Sequence, residues 1–71
     1  MPTHIVMDRS GDTRHHFKAP DAAAAEKRFR ELTQRGFAAV ALGENGAENR
    51  VIKTFDQDVE RTLFMPQLVG G

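Results

Sequence analysis

The histidines are the side chains of this sequence best suited to acid–base or metal chemistry, and all three lie in its first quarter. If a three-residue loop ending in a left-handed Gly11 joins two strands, residues whose numbers sum to 20 face each other. His4 then lies opposite His16, with Cβ atoms about 5 Å apart. Such a pair could share a metal or respond to pH. No carboxylate or cysteine is placed to complete a zinc shell, so we predict an exposed His4–His16 pair and no metal site.

The only serine, Ser10, lies between Asp8 and Asp12 and close to His15, so the residue types of a nucleophilic triad are all local. A triad also requires a sheltered pocket with an oxyanion hole. The tip of a hairpin is exposed, and a Ser-Gly pair is typical of turns. We therefore predict no catalytic residue and a protein that is not an enzyme.

A second glycine-containing segment, Gly43-Glu44-Asn45-Gly46, could be taken for a phosphate-binding loop. It lacks the G-x-x-x-x-G-K spacing, and no helix is predicted directly after it. We therefore predict no nucleotide and no other cofactor.

The composition is that of one small domain. A chain of 71 residues buries only about 60% of its unfolded surface, and it has no cysteine to supply a disulfide. Because the core is thin, the chain could also be stabilised as a homodimer, and the sequence leaves this alternative open.

Ten basic and ten acidic residues are interspersed, which argues against nucleic acid as a partner. No apolar run approaches the roughly 18 residues of a membrane span, and no signal peptide is visible, so we expect a cytoplasmic protein.

The first half of the chain predicts a β-hairpin followed by one helix. The strands are predicted over residues 3–8 and 13–18, where side chains alternate between two faces. Asp21 is a candidate N-cap, four alanines follow it, and Gly36 suits the position just after a helix. The apolar stripe of this helix consists of Ala22, Ala25, Phe29 and Leu32.

The second half predicts a second hairpin. Residues 37–42 and 50–55 are rich in strand-forming side chains, and Asn45-Gly46 between them is a strong turn signal. Asp56 could cap one helical turn over residues 57–60.

Together these elements predict an α+β fold of ββαββ type, with the helix on one face of an antiparallel or mixed sheet. We expect a single domain over residues 1–69 and a flexible Gly-Gly tail at residues 70–71. The predicted core consists of Ile5, Met7, Phe17, Ala25, Phe29, Leu32, Val40, Leu42, Ile52 and Leu63.

The last residues, Gly70-Gly71, have no side chains and could thread the narrow channel of an activating enzyme. The order of elements resembles that of the ubiquitin-like β-grasp proteins: a hairpin, a helix, further strands and a last segment that runs from Thr62 to this Gly-Gly pair. The resemblance implies a modifier or carrier that an E1-like enzyme adenylates at its C-terminal glycine and that is then joined to a thiol, an amine or sulfur. It implies that Gly71 carries the activated carboxylate, that Gly70 is the adjacent residue without a side chain, and that Leu68 and Val69 form the rest of the tail.

Pro66 leaves two interpretations of the last segment open. In a β-grasp fold the last strand is central in the sheet, but proline cannot donate to a ladder. Either the final strand is short and ends near Met65, or the segment runs along an edge. In the second case the fold is only ββαββ with an extended tail. The alternative function is a small protein–protein interaction module or subunit, which would pair with itself or another protein through its outer sheet face or a sheet edge.

Overall fold

The computed structural model describes residues 2–44 and 47–66. These form one α-helix and five strands. In chain order the elements are β1 (Thr3–Asp8), β2 (Gly11–His16), a 3-10 turn (Ala19–Asp21), α1 (Ala22–Gln34), β3 (Phe37–Ala41), β4 (Arg50–Ile52) and β5 (Arg61–Pro66). The α+β class with a single helix is therefore confirmed for the described part of the chain.

The five strands form one mixed sheet in the order β2-β1-β5-β3-β4. β1 and β5 are parallel neighbours, whereas β1–β2, β3–β4 and β3–β5 are antiparallel pairs. A parallel pair requires a long crossover connection. The chain provides it by passing through α1, β3 and β4 before it returns to pair with β1.

The first hairpin has a two-residue loop, not the predicted three-residue loop. Asp8 pairs with Gly11, and the Asp8 carboxylate accepts hydrogen bonds from the backbone N–H of Ser10 (2.8 Å) and from its hydroxyl (2.6 Å). These bonds tighten the turn, and Gly11 supplies the positive φ of +115° that follows it. Paired residue numbers therefore sum to 19, and the predicted register is wrong by one residue.

Helix α1 begins and ends close to the predicted positions. Asp21 occupies the N-cap position, but its side chain makes no capping hydrogen bond. A 3-10 turn containing Pro20 leads into the helix instead. At the other end Gly36 adopts φ +97°, and its N–H donates to the Thr33 carbonyl (3.2 Å), as in a Schellman-type end.

The core lies between α1 and one face of the sheet. Its buried apolar residues are Val6, Phe17, Ala25, Phe29, Leu32, Ala39, Ala41 and Phe64. The prediction is thus confirmed for Phe17 and the three helical residues. It is wrong for Ile5, Met7, Val40 and Leu63, which lie on the opposite face because side chains alternate along a strand. Leu42 and Ile52 are only half-buried.

The connection from β4 to β5 contains no helical turn. Instead, the Asp56 carboxylate accepts a hydrogen bond from the Asp58 N–H (2.9 Å), and the Val59 N–H donates to the Asp56 carbonyl (3.2 Å). Asp56 therefore closes a local turn of the kind that short polar side chains favour. The predicted helical turn over residues 57–60 is wrong.

Candidate functional site

Strand β5 is the element that leads to the C-terminal residues on which the functional hypothesis rests. It lies in the centre of the sheet, between β1 and β3. Its residues Thr62 and Phe64 are buried, and Phe64 contacts Phe29 of α1, whereas Met65 on the other face is 38% exposed. The last strand is therefore not an edge strand.

Pro66 is compatible with this central position because of where it lies in the two ladders. Leu42 N–H donates to the Arg61 carbonyl (3.0 Å), and hydrogen-bonded pairs alternate with non-hydrogen-bonded pairs in an antiparallel ladder. The pair formed by Phe37 and Pro66 is therefore a non-hydrogen-bonded pair, which needs no donor. On the other side, the pairing with β1 stops at Phe64. Pro66, the last described residue, is thus accommodated in β5 without the loss of a required bond to β3.

The tail residues assigned by resemblance, Leu68, Val69, Gly70 and Gly71, lie outside the described residues. So does the Asn45-Gly46 pair of the second turn. The described part of β5 reaches Pro66, which is five residues before Gly71 in the sequence.

The face of the sheet away from α1 carries a continuous apolar row. Ile5 pairs with Leu63, Leu63 with Val40, and Val40 with Val51, so the row crosses four neighbouring strands. Val51 is 66% exposed at its end, and Met7 and Met65 beside it are each 38% exposed. We call these six residues the outer face. No described element packs over them.

Sequence reasoning missed the outer face because it assigned several of these residues to the core. The signal was present, since β1, β3 and β5 each contain adjacent apolar residues: Ile5-Val6, Ala39-Val40 and Leu63-Phe64. Adjacent residues of a strand point to opposite faces. Both faces of the central strands must therefore be apolar, whichever face the helix covers.

His4 is buried, which corrects the predicted exposed pair with His16. It lies opposite His15, it is only 2% exposed, and it faces the helix. Its ring makes edge contacts with Phe64 (4.9 Å between ring centroids), Phe17 (5.0 Å) and Phe55 (5.9 Å). The shift of the hairpin register by one residue produces this change, because such a slip exchanges the two faces of a strand.

The buried position of His4 changes its acid–base properties. Burial, together with the positive charge of Arg28 and the neighbouring His15, lowers the pKa of His4 to about 4. Its Nδ1 has no hydrogen-bond partner among the described residues. Burial and Arg28 also lower the pKa of His15. His4 is therefore a neutral core residue near pH 7 and not a surface ligand.

His16 lies on the opposite side of the hairpin and is exposed. His16 faces Thr3 across the ladder, and its Nδ1 is 2.7 Å from the Thr3 hydroxyl. Ser10, the other candidate for chemistry, is held by Asp8 in the exposed turn. The structure thus brings neither His4 and His16 nor Ser10 and a histidine into one site.

No helix among the described residues is long and apolar enough to cross a bilayer. Within the same residues, no three histidine, aspartate or glutamate side chains are grouped so that they could hold a metal ion.

Comparison with known proteins gives no relative. No protein family, no curated protein and no solved structure matches this chain. Any function must therefore be argued from the molecule itself.

Proposed function

We propose that this chain is a ubiquitin-like carrier or modifier of β-grasp topology, activated at the carboxylate of Gly71 by an E1-like enzyme. The position of β5 supports this proposal. The resemblance requires a central last strand, and β5 lies between β1 and β3. The described part of β5 is held between these two strands and reaches Pro66, five residues before Gly71.

The chemistry of the proposal takes place on the partner enzyme. A carboxylate oxygen of Gly71 attacks the α-phosphorus of ATP, and pyrophosphate leaves. A thiol or amine then attacks the acyl carbon and displaces AMP, which gives a thioester or an amide. The chain supplies only the carboxylate and two residues without side chains, which suit a narrow channel. The activating enzyme supplies the catalytic groups.

Deletion of Gly71 should abolish ATP–pyrophosphate exchange. The full chain, with its C-terminal residue established by intact mass, is incubated with adenylating enzymes encoded in the same genome, ATP and labelled pyrophosphate. We expect label to enter ATP only when Gly71 is terminal and free, because the adenylate forms on that carboxylate.

A chain extended by one residue at the N-terminus is the matched control, and it should exchange like the original. Exchange that persists after removal of Gly71, or its absence with every such enzyme, would contradict the modifier proposal. Thermal unfolding of both variants checks that the folded body is unchanged.

The outer face favours a second function, a protein–protein interaction module that pairs with itself or with another chain. The row Ile5, Leu63, Val40 and Val51 is contiguous across four strands, and an uncovered apolar patch of this kind is typical of an interaction surface. This function requires no particular C-terminal residue, so the two proposals are separable.

Val51→Glu should abolish association through the outer face without unfolding the chain. The side chain is 66% exposed at the end of the row, so the cost to stability should stay near 0.5 kcal/mol or below, while a buried charge would oppose an apolar interface. Sedimentation at micromolar concentration should show a dimer or heteromer for the original chain and a monomer for the variant. Glu26→Lys, exposed on α1, is the control. A strictly monomeric original chain that binds no partner would count against the module.

A further inference from the structure

Strand β2 forms one edge of the sheet, where it has β1 as its neighbour on one side and no described strand on the other. Its pairing with β1 runs over all six residues without a bulge, it contains no proline, and all of its residues except His15 are exposed. Natural proteins usually block such an edge with a bulge, a proline or a covering element, because it can pair with another strand. Within the described residues β2 has none of these three protections.

The phase of the β1–β2 ladder shows which backbone groups face the open side of this edge. The Phe17 N–H donates to the Pro2 carbonyl (3.0 Å), and hydrogen-bonded pairs alternate with non-hydrogen-bonded pairs along an antiparallel ladder. Asp12, Arg14 and His16 therefore belong to non-hydrogen-bonded pairs. Their N–H and C=O groups point away from β1 and present the donors and acceptors that an added strand requires.

Asp12 and Arg14 place opposite charges on one face of this edge. They lie across the ladder from Met7 and Ile5, so both side chains are on the sheet face away from α1. Both are exposed, and neither forms an ion pair within residues 2–44 and 47–66. An acid and a base two residues apart are complementary to a second copy of themselves when the two strands run antiparallel.

The backbone and the charges together select one symmetric register. Hydrogen-bonded pairs between two copies must join residues of the set Asp12, Arg14 and His16, because these have the outward-facing groups. A two-fold axis at Asp12 or Arg14 would place like charges directly opposite each other, which is destabilising. An axis at His15 or His16 would leave at most half of each β2 strand paired. An axis at Thr13 places Asp12 opposite Arg14 and brings the two threonines together, which is a favourable cross-strand pair.

We propose that two copies of this chain pair their β2 strands antiparallel about a two-fold axis at Thr13, with Asp12 of each copy opposite Arg14 of the other. The two sheets then form one continuous sheet. Both Asp12–Arg14 pairs are hydrogen-bonded pairs, and each exchanges two backbone hydrogen bonds. The pairing makes the interaction-module function specific, with a second copy as the partner, and it depends neither on the outer face nor on Gly71.

Charge reversal tests this register. A pairing this small is weak, so sedimentation is run at about 1 mM chain, where the original should dimerise. Asp12→Lys sets bases opposite each other and Arg14→Glu sets acids opposite each other, so each variant alone should associate about tenfold more weakly or worse. An equimolar mixture of the two variants should associate like the original, because every acid again faces a base. Arg30→Glu, exposed on α1, is the matched control and should dimerise like the original. Circular dichroism checks that each variant is folded.

Hydrogen exchange measures the same pairing at the backbone. The amides of Asp12 and Arg14 should exchange more slowly as the chain concentration rises, whereas those of Thr13 and His15, which already belong to hydrogen-bonded pairs with β1, should not change. The dimer should survive Val51→Glu, since Val51 lies on β4 at the opposite edge. Loss of the dimer in that variant would assign association to the outer face and overturn the β2 pairing. A mixture of the charge variants that stays monomeric would also overturn it, as would an original chain monomeric at about 1 mM, which would leave this edge to a strand of another protein.

Discussion

Phe64→Ala is expected to lower the free energy of unfolding by about 3 to 5 kcal/mol, the cost of removing a fully buried aromatic ring. Phe64 lies on the central strand, is 0% exposed, and its ring contacts those of His4 (4.9 Å between centroids) and Phe29 (5.6 Å). A domain of this size has a total stability of roughly 4 to 11 kcal/mol. The substitution should therefore remove a large part of it, as measured by urea denaturation followed by circular dichroism.

Met65→Ala is the matched control, one residue along the same strand. Met65 points to the outer face and is 38% exposed, so its truncation should cost only about 1 kcal/mol or less. If Phe64→Ala is unfolded without denaturant, Phe64→Leu should still fold with a smaller loss. Equal losses at positions 64 and 65 would show that the core and outer faces of β5 have been assigned wrongly.

The helix could be predicted from the sequence because its signals are local. A stripe of Ala25, Phe29 and Leu32 at helical spacing marks one face, and the structure buries all three. Gly36 marks the end, where its positive φ is used. Periodicity and capping chemistry depend on residues within a few positions of one another, so no knowledge of the sheet was needed.

The faces of the strands could not be predicted because their pattern is apolar on both sides. Alternation distinguishes two faces only when one of them is polar. In β3 the helix covers the small side chains of Ala39 and Ala41, while the larger Val40 lies on the outer face. Ala39 belongs to the same buried cluster as Phe29 and Phe64. Which face the helix covers is thus decided by packing between elements distant in sequence.

The same distinction between local signals and packing of distant elements applies to the candidate functional sites. The terminal glycines could be identified from the sequence because their residue type alone carries the hypothesis. Adjacent apolar residues show that both sheet faces are apolar, but which residues form the outer face could not be predicted, since it combines residues of four strands in one register. The position of His4 depended on a single residue in a hairpin loop: the two-residue turn held by Asp8 and Ser10 replaces the predicted three-residue turn and moves this imidazole into the core.

That imidazole should make the fold sensitive to mild acid. The pKa of His4 is about 4 in the folded chain, against 6.5 for an unperturbed histidine. The unfolded state therefore takes up the proton first as the pH falls. The stability associated with His4 is complete above about pH 7, declines from pH 6.5, and is lower by about 3 kcal/mol at pH 4, since one pKa unit corresponds to 1.36 kcal/mol. Urea denaturation at a series of pH values measures this slope.

His4→Phe should remove most of that pH dependence, because the phenyl ring has no proton to gain and leaves no unpaired Nδ1 among the three phenylalanine rings around it. The control is His15→Gln. His15 is only half-buried, so this variant should keep most of the slope. The shifted pKa of Asp8 lies below its ordinary value of 3.8, so that carboxyl adds little between pH 6.5 and 4.5. A His4 imidazole that titrates near 6.5 in the folded chain by NMR would refute the buried, neutral histidine.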